Sequence, residues 1–314
     1  MNITANTGVR ITAYAAALAA TFGVAYGVGT GVDPVVAEKP PPAKHEREHA
    51  EKPPPAGREE PGAAEPAAGG LRISDGGYRL DLEKTAVAAG ARTELRFSIK
   101  DTHGRALTSY KREHEKELHF IVASRDLTVF RHLHPARAAD GVWAVPVELP
   151  RAGDYRVFAD FTPGGAAVEE GGAHGDGGHA GPATNLTLGA DLAVSGPYEP
   201  SALPPVRATA EVDGYRVTLK GALTPGRASE LRLTVGKDGR PVTDLQPYLG
   251  AYGHLVALRA GDLAYLHVHP DGRSGANVSF GATAPSEGTY RLFFDFRHEG
   301  KVRTAAFTVR TGSH

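Results

Sequence analysis

Past residue 70 the chain reads as short alternating runs. Leu95-Arg96-Phe97-Ser98-Ile99 and Leu231-Arg232-Leu233-Thr234-Val235 place an apolar side chain at every second position, the period of a strand with one face buried. Thr102-His103-Gly104 and Lys237-Asp238-Gly239 follow these runs with turn chemistry. Before residue 70 the pattern is different. No residue from Ile11 to Val32 is charged, and Arg10 stands just ahead of the run. At about 1.5 Å per residue such a helix spans a hydrocarbon core of about 30 Å. Residues 1–37 are therefore expected to form a membrane anchor, with a signal peptide cut after Ala37 as the alternative. Either way the remainder is exported: held outside a cell membrane by one span, or secreted.

Residues 38–70 are mostly Pro, Ala, Glu, Lys, Arg and Gly, including Pro40-Pro41-Pro42 and Pro53-Pro54-Pro55. Ordering such a segment costs entropy and buries almost nothing, so a disordered, extended linker is expected.

The remainder repeats itself. Tyr78-Arg79-Leu80-Asp81-Leu82 returns as Tyr215-Arg216-Val217-Thr218-Leu219, and Glu94-Leu95-Arg96-Phe97 as Glu230-Leu231-Arg232-Leu233. From Gly104 to Phe161 the offset between the copies is a constant 135. Gly153-Asp154-Tyr155-Arg156-Val157-Phe158-Ala159-Asp160-Phe161 thus reappears as Gly288-Thr289-Tyr290-Arg291-Leu292-Phe293-Phe294-Asp295-Phe296. Two tandem domains follow, at 71–195 and 206–311. Short strands, Gly-rich turns and about 100 residues per copy point to an all-β pair of immunoglobulin-like β-sandwiches.

Composition removes several chemistries. With no Cys, disulfides, thiolate ligands and cysteine nucleophiles are excluded, and Met1 as the only Met excludes a thioether site for Cu(I). A net charge of −1 argues against a nucleic-acid partner. No nucleophile elbow or phosphate-cradling glycine motif is present, so an enzyme is not expected.

The informative residues are histidines. Leu118-His119-Phe120-Ile121-Val122 precedes a turn and then His132-Leu133-His134-Pro135; Gly253-His254-Leu255-Val256 precedes His267-Val268-His269-Pro270. On a strand, His132 and His134 share a face, as do His267 and His269. A hairpin centred between Arg125 and Asp126 sets His119 opposite His132, His254 opposite His267, and Glu117 opposite His134. Opposed Cβ atoms lie about 4.5–5.5 Å apart, so each copy could hold an ion with three imidazoles, Cu(II) before Zn(II). The alternative is a histidine face serving structure alone.

Accessory candidates are fewer. Asp160 and Asp295 recur inside apolar strands and need partners. Pairing with Arg156 or Arg291 is the simpler expectation, and orienting a ligand histidine the other. The first copy also carries a Gly-rich insertion with His174 and His179, read as a surface loop or as an ion-capture loop.

At these residues the chain resembles secreted actinobacterial proteins with tandem YtkA-like, broadly CopC-like, immunoglobulin-type domains. The carriers are Glu117-Leu118-His119-Phe120-Ile121-Val122 with His132-Leu133-His134-Pro135, and Tyr248-Leu249-Gly250 with Gly253-His254-Leu255-Val256 and His267-Val268-His269-Pro270. The resemblance implies a β-sandwich at the cell envelope associated with copper or other heavy-metal handling. The function expected is thus an exported metal-binding protein, or alternatively a non-catalytic extracytoplasmic scaffold or interaction protein.

Overall fold

A computed structural model describes residues 68–164, 184–266, 268–270 and 277–312. The expected membrane segment, the linker up to residue 67, and the insertion with His174 and His179 lie outside the described residues, as do the side chains of His267 and His269. Among the described residues no helix is long and apolar enough to cross a membrane.

All regular structure described is strand, as the alternation requires. In the first copy, Tyr78–Leu82, Arg92–Lys100 and Val142–Glu148 pair in that order to form one sheet, extended at its ends by short strands. The second sheet runs Ala86–Ala88, Leu186–Ser195, Gly153–Pro163, Leu118–Ser124, Phe130–Leu133. The second copy repeats both orders: Tyr215–Lys220, Ala228–Lys237, Asn277–Thr283 in one sheet, and Lys301–Arg310, Thr289–His298, His254–Arg259, Tyr265–Leu266 in the other.

Each sandwich closes over its own apolar layer. Leu80, Phe97, Phe120, Val122, Trp143 and Val157 belong to the first core; Tyr215, Leu233, Leu255, Phe280, Leu292 and Phe294 belong to the second. Each also carries the tyrosine corner of immunoglobulin-type domains. Tyr155 donates its hydroxyl hydrogen to the Arg151 carbonyl at 2.9 Å, and Tyr290 donates to the Ser286 carbonyl at 2.8 Å. The fold is two tandem immunoglobulin-like β-sandwiches.

A third apolar cluster lies between the copies. Ile121, Ala123, Leu127, Phe130 and Phe158 pack against Val256, Leu258, Leu263, Tyr265 and Phe293. The two second sheets therefore meet through their outer faces, and Leu118–Ser124 is buried on both sides. Phe130 stacks on Phe293 with ring centres 4.0 Å apart, while Tyr265 meets Phe158 at 5.8 Å. These pairs exchange under the 135-residue repeat, so the seam has the self-complementary pattern of a two-fold interface. Gly69 and Gly70, assigned above to the linker, are held at this seam: Tyr265 N–H donates to the Gly69 carbonyl, and Gly70 N–H to the Thr187 carbonyl.

A candidate metal centre at the domain seam

The hairpin register differs from the one expected. His132 stands opposite Ile121 and Leu133 opposite Phe120, so the turn is centred between Asp126 and Leu127. A four-residue loop, with Leu127 in the left-handed region at φ 56° and Asp126 accepting from Ser124 and Thr128, moves the centre by one residue. The second copy slips the same way: Ala257 opposes Leu266 and Leu258 opposes Tyr265. His254 is therefore not set opposite position 267. Glu117 is not set opposite His134 either; it accepts from Arg137 at 3.0 Å. A slip of two in the pairing keeps every side chain on its face, so His119, His132 and His134 still point to one side.

That side is the seam. His119 Nδ1 lies 3.0 Å from His132 Nε2, and His119 Nε2–H donates to the Glu113 carbonyl at 3.3 Å. His132 Nδ1 lies 2.8 Å from Asp295 Oδ2 of the second domain. His134 Nδ1 faces the Tyr248 hydroxyl at 3.4 Å, and its Nε2 is buried without a hydrogen-bond partner among the described residues. One nitrogen from each of these three histidines falls within 4.8 Å of the others.

The second domain closes the group. His254 Nε2–H donates to the Tyr248 carbonyl at 2.7 Å. This repeats the first copy's arrangement, in which His119 donates to the carbonyl six residues upstream. His254 lies with its ring centre 6.2 Å from those of both His119 and His132. Of the three histidines expected to form a site in the second copy, only the His254 side chain is described, and it lies beside the histidines of the first domain at the seam. The same seam lines a cavity of about 440 Å³ that includes Glu113, His119, His132, Asp160 and His254.

Burial sets the protonation. It pushes His119 down to about 2, helped by the neighbouring His132 and His134. It pushes His134 down to about 3, with His132 adding to the effect. His254 falls to about 4, burial again dominating over the opposing bond to Tyr248. All three are neutral imidazoles at pH 7, the form that binds metal.

The aspartates divide. Asp295 accepts from His132 and from the Thr304 hydroxyl, whereas Arg291 donates to the Leu127 carbonyl and to Thr308. The arginine pairing expected for Asp295 is thus replaced by a histidine contact across the seam. Asp160 accepts from Tyr265 at 3.2 Å and Thr187 at 3.5 Å, while Arg156 engages Asp191 and the Gly70 carbonyl.

Two participants are not among the site residues expected from the sequence. Tyr248 contacts both His134 and His254. His114, in a loop where it adopts φ 49°, brings its ring centre within 5.3 Å of His254. Neither lies on an alternating run, so strand periodicity could not point to them.

A family model described as a domain of unknown function (DUF8832) matches residues 72–169 and again residues 210–313. Among curated proteins no match is found. Similar solved structures include the Escherichia coli adhesin FdeC, 14% identical over 76% of this chain and 65% of that one, with a TM-score of 0.23. The chain thus spans less than two thirds of the FdeC structure. A titin Z1Z2 tandem is 12% identical over 74% of this chain and 97% of that one, with a TM-score of 0.19. Invasin, a bacterial integrin-binding protein, is 13% identical over 74% of this chain and 39% of that one, with a TM-score of 0.20. Likenesses this distant bear on neither activity nor partners.

Proposed function

This chain belongs to the DUF8832 family over both of its sandwiches, and we propose that it is an exported, non-catalytic protein that binds a divalent transition metal, Cu(II) before Zn(II), at the seam between them. The export half rests on the uncharged run from Ile11 to Val32. The metal half rests on one observation, the 3.0 Å approach of His119 Nδ1 to His132 Nε2.

That approach poses a charge problem. Donation from His119 Nε2–H to a carbonyl leaves Nδ1 with a lone pair. Contact with the Asp295 carboxylate places a proton on His132 Nδ1, and the neutral ring then offers a lone pair at Nε2. Two lone pairs 3.0 Å apart repel unless a cation stands between or beside them. The unpartnered Nε2 of His134 supplies a third donor, and Asp295 orients His132 as carboxylates orient metal-bound imidazoles.

With N–metal bonds of about 2.0–2.1 Å, nitrogens sharing an ion lie about 3.3 Å apart in a tetrahedral site and about 2.9 Å apart as square-planar neighbours. The 3.0 Å spacing is compatible with either arrangement, and an all-imidazole donor set ranks Cu(II) before Zn(II).

A proton is the competing cation. His132 as an imidazolium facing Asp295 would be a structural pair joining two scaffold domains. Titrating the full chain with Cu(II) and Zn(II) separates the readings. One ion per chain is expected, lost on His119→Ala or His132→Ala. Absence of binding at micromolar metal leaves the scaffold reading.

A further inference from the structure

Resting on that reading, we infer that the ion is shared by both domains: His254 supplies a fourth nitrogen, so that metal occupancy clasps the seam shut.

His254 is prepared as a ligand in the same way as His119. Each spends its Nε2–H on the carbonyl six residues upstream, which fixes the tautomer and leaves Nδ1 as a lone pair. The ring separations bring His254 close to the group that could hold the ion. Imidazoles that share a metal through bonds of about 2.0–2.1 Å can have ring centres no more than about 6.5 Å apart. His119, His132 and His134 stand at 4.8–5.4 Å from one another. His254 stands at 6.2 Å from both His119 and His132, so a small closing movement of His254 toward them would complete a shared site.

The cavity that His119, His132 and His254 share is lined by residues of both domains. The carboxylate that aligns His132 also comes from the second domain. A separation of the domains would remove one ligand and the support of another. By linkage, an ion that binds the docked pair more tightly than the separated pair must favour docking by the same factor.

The test uses the full chain and Cu(II). His254→Gln removes the imidazole and retains a side-chain N–H for the Tyr248 carbonyl. Electron paramagnetic resonance should count four equatorial nitrogens in the wild type and three in His254→Gln, with affinity at least tenfold weaker. Hydrogen exchange within Leu118–Ser124 and His254–Arg259 should slow in both strands on metal addition to the wild type. Three nitrogens in the wild type, or unchanged affinity in the variant, overturns the shared ion and leaves a first-domain site intact. No Cu(II) signal in the wild type removes the metal reading itself, and the clasp with it. Should His254→Gln not fold, the wild-type nitrogen count alone decides.

Discussion

His132 of the first domain and Asp295 of the second meet across the seam at 2.8 Å, with only 6% and 5% of their side chains exposed. Partners 163 positions apart in sequence are thereby joined in a nearly dry contact. Removing the acceptor leaves the buried His132 N–H unsatisfied, at a cost of about 1–3 kcal/mol. Asp295→Ala should therefore destabilise the chain by an amount of that order, part of it offset by the Thr304 hydroxyl turning to another acceptor. Urea denaturation measures it; a loss below about 1 kcal/mol would mean that the contact contributes no more than a surface pair.

Acid should open the same seam. His119, His134 and His254 are held at about 2, 3 and 4, against 6.5 for the free side chain. Between pH 6.5 and about 4 the unfolded chain therefore takes up protons that the folded chain refuses. Stability is full above pH 6.5 and declines as the pH falls through that window. Denaturation midpoints at pH 8, 6 and 5 should drop in that order, and a flat or rising series contradicts the assignment of neutral histidines.

The apolar cluster shared by the two domains should make them unfold as one cooperative unit. Phe293 stacks on Phe130, at 4.0 Å between ring centres, and has the Arg291 guanidinium over its ring at 5.4 Å. Phe293→Ala should cost about 3–5 kcal/mol while leaving both sandwich cores untouched. Calorimetry should then show two transitions where the wild type shows one. A single transition merely shifted to lower temperature would place the domains' coupling elsewhere.

Which parts of this could be read in advance follows from the range of each interaction. Alternation in Leu95–Ile99 and Leu231–Val235 is local, and it gave the strands; the 135-residue repeat gave the pair of sandwiches. The shared face of His132 and His134 needed only the two-residue period of a strand. The hairpin register depended on a loop in which Leu127 takes a left-handed conformation that its sequence does not advertise. The seam depended on contacts between domains, which no local period encodes. Yet it left a trace: Phe120-Ile121-Val122-Ala123 and Leu255-Val256-Ala257-Leu258 do not alternate, as befits strands covered on both faces. Glu117 was misplaced for the same reason as the register, and Asp295 because its histidine belongs to the other domain.

Gly70 provides a test of how tightly the seam is packed. Its φ is +72°, and a Cβ placed there would meet Phe158 Cδ1 at 2.4 Å and Tyr265 Cβ at 3.3 Å. Its carbonyl also accepts from Arg156 at 2.8 Å, so the backbone cannot retreat without losing that bond. Gly104 has nearly the same conformation, φ +77°, with nothing within 4 Å of such a Cβ. Gly104→Ala should therefore cost only the left-handed penalty of about 1–2 kcal/mol. Gly70→Ala should cost that penalty plus an overpacking term of about 1–3 kcal/mol. The difference between the two variants in urea denaturation isolates the clash against Phe158. Equal losses would mean that the seam yields at no cost, and with it would go the view of the two sandwiches as a single packed body.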